Sequence, residues 1–504
     1  MNIQTKRFDR CQTKSSITTM ITVDDDYIVK DTKPDVVKVI YAGGYAVPEE
    51  TRVNKDAIWI TGKLLVTLVY QSDRENAGLE ALTSEIPFQE KLNVEDVDET
   101  DEVPVRIQKE DINVSIINSR KLSIRALLGV KAFPCKKEQI QLTRDVEEKV
   151  EKRVAKEELL FPYCIVNRKE KMHIRLELPS NKPNFGRIIS VIPTLTVKGG
   201  VFHISVGVVY ENQTEGISWH TFEEELEKRL DEYSTEKEDI LWLEAGLEQF
   251  QTEVMEDFDG ECRCLSCEAV VLIQGQIYKE EEVEHLLDLY SLDKNLEVTE
   301  EKIRAMRFLM KNVAKTRVCQ RLELEAYRQR MLSVCTYGGE VELDSAKPDA
   351  GGIMIEGVLK TELMYMTNQD NLPLSSVSGQ IAFKQYVEIK NMKESTKCDI
   401  LLSLESLQMN LMDQGTYEVL ASVNVAVIAY EEDEITNIVE ITETEMPKEE
   451  KEPGMIGYTA KPGESLWDIA KKYKCTVEDI IQTNELVNDE IRGEQKLLIV
   501  KFYK

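Results

Sequence analysis

Along Ile58-Trp-Ile-Thr-Gly-Lys-Leu-Leu-Val-Thr-Leu-Val-Tyr70, apolar side chains recur at every second position. A period of two sets them on one face of a strand, because successive side chains point to opposite sides of a sheet. Sliding the chain along itself by 295 residues (353 − 58) lays this stretch over Ile353-Met-Ile-Glu-Gly-Val-Leu-Lys-Thr-Glu-Leu-Met-Tyr365. Ile58 then meets Ile353, Ile60 meets Ile355, Gly62 meets Gly357, Leu64 meets Leu359 and Tyr70 meets Tyr365. Without a gap, Ile86 and Phe88 fall on Ile381 and Phe383, and Ile112, Val114 and Ile116 on Leu407, Met409 and Leu411. The match ends with Leu122, Ile124, Ala126, Leu128 and Val130 over Tyr417, Val419, Ala421, Val423 and Val425. Four alternating strands in one fixed register indicate a duplicated unit of roughly 90 residues.

A fainter middle copy runs through Gly200 to Tyr210, Trp219 to Phe222 and Ser266 to Tyr278, with Phe202 where the repeat has glycine. Three charge-rich stretches are predicted as helices: about Asp145 to Leu160, Glu223 to Phe258, and Thr299 to Gln329 with its apolar steps Ile303, Met306, Met310 and Val313. Glu440 to Gly454, acidic and carrying Pro447 and Pro453, is predicted as a linker. The expected fold class is α+β and multidomain: three β-rich, sandwich-like repeat modules with helical connectors, then a small βααβ domain. The expected boundaries are an arm over 1–50, modules over 51–140, 181–290 and 336–440, connectors over 141–180 and 291–335, a linker over 441–457 and the tail domain over 458–504. The first 50 residues carry no clear pattern and fit a flexible arm or an extra strand pair.

That tail, Tyr458 to Tyr503, has its own logic. Ser465 with Asp468, and Thr476 with Asp479, each form an S/T-x-x-D helix start, in which the hydroxyl accepts from first-turn backbone N–H groups. Leu466, Ile469, Ala470 and Tyr473 make one apolar stripe, and Ile480 and Ile481 give the second helix an inner face. Tyr458 to Ala460 and Lys496 to Val500 flank the helices as strands. This stretch resembles the LysM domain, on Pro462-Gly463-Glu464-Ser465-Leu466-Trp467-Asp468-Ile469-Ala470, Asn484, and the closing Arg492 to Ile499. The family's usual terminal Ile-Pro is Ile499-Val500 here. The resemblance implies a groove between the loop before the first helix and the loop after the second, where LysM domains commonly bind N-acetylglucosamine glycans such as peptidoglycan. Carried onto this chain, the groove residues are Gly463, Glu464, Ser465, Trp467, Asp468, Asn484, Glu485 and Leu486.

Charge narrows the partners. Asp and Glu total 92 against 63 Lys and Arg, a net charge of −29, which repels nucleic acid and anionic membranes. No apolar run approaches the ~20 residues a membrane helix needs. The N-terminus lacks a signal-peptide core, so the chain is expected to stay in the cytoplasm. Ten scattered cysteines are expected as reduced thiols, and four histidines leave few catalytic or metal arrangements.

A glycan-type domain expected in the cytoplasm, following modules of the pattern Gly-x-Leu-x-Val-x-Leu-x-Tyr and the Ile86-Pro87-Phe88 turn of phrase, resembles the SipL-like spore-coat morphogenetic family of SPOCS modules and a terminal LysM domain. That resemblance implies a protein of the mother-cell cytoplasm at the forespore surface, whose LysM domain binds the coat-basement ATPase SpoIVA. Other spore-coat proteins would be held by the β modules, and residual glycan affinity stays open.

Several residues have plainer readings. Trp467, one step off the apolar stripe, is either a groove anchor or the cover of a small core. Gly463 supplies a turn and Asn484 caps a helix end, while Leu466 and Ile469 are core. Cys262, Cys264 and Cys267 form CxCxxC, but a fourth ligand is missing and strand geometry turns Cys267 away from the other two, so buried apolar thiols are expected instead of zinc. The glycine pairs lack a phosphate-loop context, and the acidic runs lack calcium-loop spacing. No cofactor, metal or catalytic residue is assigned. A non-enzymatic scaffold is therefore the expected function, with a peptidoglycan- or cortex-binding protein as its rival and a wall hydrolase third.

Overall fold

The structure is a computed structural model; it describes residues 1–14, 16–74, 78–212, 216–324, 330–413, 415–444, 454–461, 463–488, 491 and 494–500. It is mostly β, about 75% strand and 4% helical, which overturns the α+β expectation with helical connectors. The first module contains β1 (Ile3–Thr13), β2 (Ile17–Ile28), β3 (Val36–Asn54), β4 (Ala57–Ser72), β5 (Leu79–Asn93), β6 (Val105–Asn118), β7 (Lys121–Ala132) and β8 (Cys135–Val146). Two three-stranded sheets, β3-β4-β5 and β2-β7-β6, face each other. The alternating residues Ile58, Ile60, Leu64, Leu68, Leu122, Ile124 and Leu128 fill the space between them and are fully buried. Residues 1–50, expected as an arm, form β1, β2 and most of β3.

The second module repeats the plan with β9 (Glu151–Glu177), β10 (Arg187–Lys198), β11 (Val201–Asn212), β12 (Gly216–Arg229), β13 (Ile240–Met255) and β14 (Cys264–Tyr290). Its sheets are β10-β11-β12 and β13-β14-β9. The third has β15 (Asn295–Glu323), β16 (Met331–Asp349), β17 (Gly352–Thr367), β18 (Leu374–Glu388), β19 (Lys397–Leu411) and β20 (Thr416–Thr444), in sheets β16-β17-β18 and β15-β20-β19. In the outer copies a phenylalanine ring lies over the repeat's glycine: a Cβ on Gly62 would stand 2.6 Å from Phe88, and one on Gly357 2.5 Å from Phe383. The middle copy instead buries Phe202 itself in its core.

The two helical connectors and the helical insertion of the second module are mostly strand in their described residues. Residues 145–160 close β8 and open β9, 223–258 hold the end of β12, one 3-10 turn (Leu230–Tyr233) and β13, and 299–329 lie mostly in β15. The misleading pattern in β15 has a physical cause. Its pairing with β20 slips between Phe308 and Met310, leaving Leu309 as a bulge that reverses the strand's phase. Only the step from Met306 to Met310 spans the bulge; Ile303 and Met306, and Met310 and exposed Val313, stand on opposite faces of the strand, so the three- and four-residue spacing marks no single buried stripe.

Beyond each sandwich the chain continues as a long hairpin: β1 with β8, the first part of β9 with the end of β14, and the first part of β15 with the end of β20. The three hairpins pack into a stalk around Phe8, Leu142, Leu159, Phe161, Val283, Ile303 and Ile435, with Phe8 stacked on Phe161 at 4.9 Å. Buried Asn437 locks the register of this stalk: its Oδ1 accepts from Thr143 N at 2.9 Å, and its Nδ2 donates to Gln141 O at 2.9 Å and Glu301 Oε1 at 2.8 Å.

Where the sandwiches themselves meet, equivalent positions from all three share one apolar cluster. A bulge in β3, β10 and β16 pushes out Ile40, Ile189 and Cys335, respectively, opposite Val69, Val209 and Met364. All six are buried together. The extra residue that interrupts each ladder is thus the one that joins the modules around a common axis.

Candidate functional site

The tail domain is built as β21 (Met455–Ala460), α1 (Leu466–Tyr473), α2 (Val477–Thr483) and β22 (Gln495–Val500), with β21 and β22 antiparallel. Ser465 caps α1, its Oγ accepting from Asp468 N at 3.1 Å. Thr476 and Asp479 form a reciprocal capping box on α2, with Oγ1 accepting from Asp479 N at 3.0 Å and the Asp479 carboxylate accepting from Thr476 N at 3.3 Å. Leu466, Ile469, Ala470 and Ile480 point inward with Leu497 and Ile499, giving a small core of the domain's own.

The described residues of the two loops expected to form the groove are held by different contacts. Before α1, Gly463 has φ +89 with open space where a Cβ would stand, so the backbone conformation and not a neighbour demands glycine. Next to it, the Glu464 carboxylate accepts from Lys461 N at 2.8 Å and from Tyr458 Oη at 2.8 Å. The Lys461 N–H and then the Tyr458 hydroxyl hold this carboxyl below its ordinary value. After α2, Asn484 ties the helix end to β22: Nδ2 donates to Ile480 O and Leu498 O, both at 2.8 Å, and Oδ1 accepts from Leu498 N at 2.6 Å. Glu485 follows with φ 51, and Leu486 N returns to Ile481 O at 3.0 Å. Gly463, Asp468 and Glu485 are exposed, whereas Glu464, Ser465, Asn484 and Leu486 are half-buried and engaged in holding the loops. Pro462, Arg492 and Gly493 lie outside the described residues, as do 445–453 of the linker expected over 441–457, whose described ends are strand: 441–444 finish β20 and Met455 opens β21.

Trp467 looks elsewhere. Its Nε1 donates to Asp288 Oδ2 at 2.8 Å, and its ring meets Tyr290 edge-on at 4.9 Å. Lys471 Nζ, one turn along α1, donates to Asp288 Oδ1 at 2.6 Å, and Tyr290 Oη donates to Cys475 O at 2.8 Å. Asp288 and Tyr290 end β14, at the tip of the second module's hairpin, and buried Tyr290 belongs to the tail domain's core cluster. The aromatic singled out in the sequence therefore docks the domain onto the stalk. No local signal marks Asp288 or Tyr290, since their partners lie 179 and 185 residues away.

Elsewhere the chemistry is sparse. Cys264 and Cys267 are buried on opposite faces of β14, burial pushing the Cys267 thiol up to about 12, and Cys262 is half-buried. Among the described residues no three His, Cys, Asp or Glu side chains are placed to hold a metal, and no helix is long and apolar enough to cross a membrane.

A terminal strand–helix–helix–strand domain fixed to the stalk of three β sandwiches defines a modular, mostly β protein. The LysM domain family matches residues 458–500, and the family described as SipL, SPOCS domain matches 35–117 and 330–412. The two SPOCS matches are themselves 295 residues apart (330 − 35 and 412 − 117), the offset of the sequence repeat. No curated protein matches the chain. The chain is SipL-like, with SPOCS modules and a C-terminal LysM domain, and these domains indicate a sporulation protein with a LysM of the peptidoglycan-binding class.

Proposed function

We propose that this protein is a non-enzymatic scaffold of spore-coat assembly in the mother-cell cytoplasm, at the forespore surface. Its LysM domain binds the coat-basement ATPase SpoIVA, and its three β modules hold other spore-coat proteins. The observation that carries this reading is the contact of Trp467, Lys471 and Cys475 with Asp288 and Tyr290. A LysM domain anchored to the modules by one face, with Gly463 and Glu485 exposed on its loops, can bring whatever it grips into fixed relation to whatever the modules grip. All ten cysteines are free, six of them buried, which suits a reducing compartment. The module sheets also end in strand edges on which partners can add.

The rival reading, a peptidoglycan- or cortex-binding protein, is favoured by the LysM match itself. Retention of the full chain on purified murein separates the two. The scaffold reading predicts no retention at physiological salt. Retention that soluble chitin oligomers compete away would support the rival, and lysis of the murein would point to an enzyme.

A further inference from the structure

The duplicated modules end in equivalent sheet edges of opposite charge. β2 closes one side of the sheet β2-β7-β6, and β15, over 312–323, closes the same side of β15-β20-β19. Tyr27 lies opposite Leu122 as Leu322 lies opposite Tyr417, each pair displaced by 295 residues (322 − 27 and 417 − 122). Among the described residues no strand pairs with the outer side of either stretch; β15 meets β9 only earlier, at Met306 with Leu160. Such an edge presents a row of backbone N–H and C=O groups that another strand can join. Alternation sends Met20, Thr22, Asp24, Asp26 and Ile28 of β2 to the solvent face, with Ile21 and Val23 in the core. On β15 the solvent face carries Val313, Lys315, Arg317, Cys319 and Arg321, with Val318 in the core. One edge is therefore acidic and the other basic, in a chain whose net charge is −29.

We propose that β2 of one copy of this chain adds antiparallel to residues 312–323 of β15 in a second copy, joining two three-stranded sheets into one. A single register sets Asp24 opposite Arg317, Asp26 opposite Lys315 and Ile28 opposite Val313, all on the solvent face. Ile28 and Val313, 70% and 57% exposed in the single chain, cover one another there. Asp26 and Lys315 already touch Lys121 at 2.7 Å and Glu405 at 2.6 Å on their own sheets, so Lys121, Asp26, Lys315 and Glu405 form a row of alternating sign across the joint. Because the two strands are equivalent, a half-turn about an axis normal to the sheet pairs them and leaves both cores on one side. Like edges are kept apart, since two copies of β2 would set carboxylates beside carboxylates and two copies of β15 cations beside cations. The corresponding edge of the second module, in β9, fits less well: Lys169 is held by Glu248 at 2.8 Å and the Pro48 carbonyl at 3.0 Å. Counted from Tyr163, the bulge that matches Leu309, Asn167 replaces Val313 there. Each joined pair leaves one acidic and one basic edge free, so copies continue to add head to tail. This inference is independent of what the LysM domain binds.

Sedimentation velocity of the full chain over a concentration series, at about 0.05 M and about 0.5 M salt, tests this. Species larger than a dimer are expected at low salt, shrinking at high salt. Asp24→Lys/Asp26→Lys and Lys315→Glu/Arg317→Glu should each keep the parent melting temperature, because all four side chains lie on the solvent face. Each variant alone should self-associate at least about tenfold more weakly. Mixed one to one, the two should regain the parent behaviour, since every edge again meets its opposite charge. Should one variant fail to fold, the other decides: added to the parent in equal amount, it caps growing chains and lowers their mass. A parent that stays monomeric or stops at a dimer, folded variants that associate like the parent, or a folded pair that mixing does not restore overturns the proposal. Association that survives Lys315→Glu/Arg317→Glu but is lost with Lys171→Glu would overturn the choice of β15.

Discussion

Replacing Asp288 with alanine should release the LysM domain from the stalk without unfolding either. Asp288 accepts from Trp467 Nε1 at 2.8 Å and from Lys471 Nζ at 2.6 Å. The indole N–H, half-buried against Tyr290, loses a charged acceptor, which costs about 1.5–2 kcal/mol. Lys471 has 44% of its side chain exposed and returns to water, adding no more than about 0.5 kcal/mol. A total near 2 kcal/mol lowers the docking constant by roughly 30-fold. The reporter is Cys475, which is 5% exposed in the docked domain, shares its core cluster with Tyr290, and has a thiol pushed up to about 11 by burial. Its alkylation rate, followed by peptide mass spectrometry, reports the opening equilibrium. We expect it to rise about 30-fold in Asp288→Ala, while Cys267 in the second core and Cys335 on the axis keep their parent rates. An unchanged Cys475 rate, or equal acceleration of all three thiols, would refute the docking argument.

Three further outcomes follow from the same physics. Glu80, 4% exposed, receives Lys33 at 2.9 Å, Arg74 at 3.2 Å and Arg187 of the second module at 2.6 Å; Glu80→Ala should cost about 2–3 kcal/mol in chemical denaturation, the partly exposed cations softening the loss. Burial alone would raise the Glu80 carboxyl, but the Lys33 hydrogen bond and Arg187 hold it below its ordinary value; its contribution is therefore full above the unfolded carboxylate's range and disappears as acid titration passes through the folded one, whereas Glu80→Gln should flatten that part of the profile. Gly62→Ala and Gly357→Ala should each destabilise by about 1–3 kcal/mol, because a new methyl meets the Phe88 or Phe383 ring, and thermal melts should show similar drops for the two 295-related sites. Asn484→Ala should loosen the LysM domain by about 2 kcal/mol through the loss of its bonds to Ile480 and Leu498, seen as faster amide exchange at Leu498.

The strands of the duplicated unit were legible because one buried face per strand imposes alternation, as at Ile58, Ile60 and Leu64. The LysM domain was legible to its individual caps, Ser465 and Thr476, since capping is local chemistry. The stalk was not. Its edge strand β1 turns inward little beyond Phe8 and Cys11, and the bulge at Leu309 breaks the period in β15. Charged stretches then take their strand state from pairing with distant partners, a tertiary effect that local propensity does not carry. Among the candidate site residues, local geometry explained Gly463 and Asn484, while the fate of Trp467 depended on Asp288 and Tyr290 far away in sequence. The axis was hidden for the same reason: Ile40, Ile189 and Cys335 show their equivalence only as bulges.

The measurement that bears most directly on the function is the affinity of purified SpoIVA for the full chain and for a chain ending at Pro453, compared on one sensor surface. The account predicts at least a tenfold loss when the LysM domain is removed, since the three sandwiches retain their own cores. Equal affinity for the two chains would contradict it.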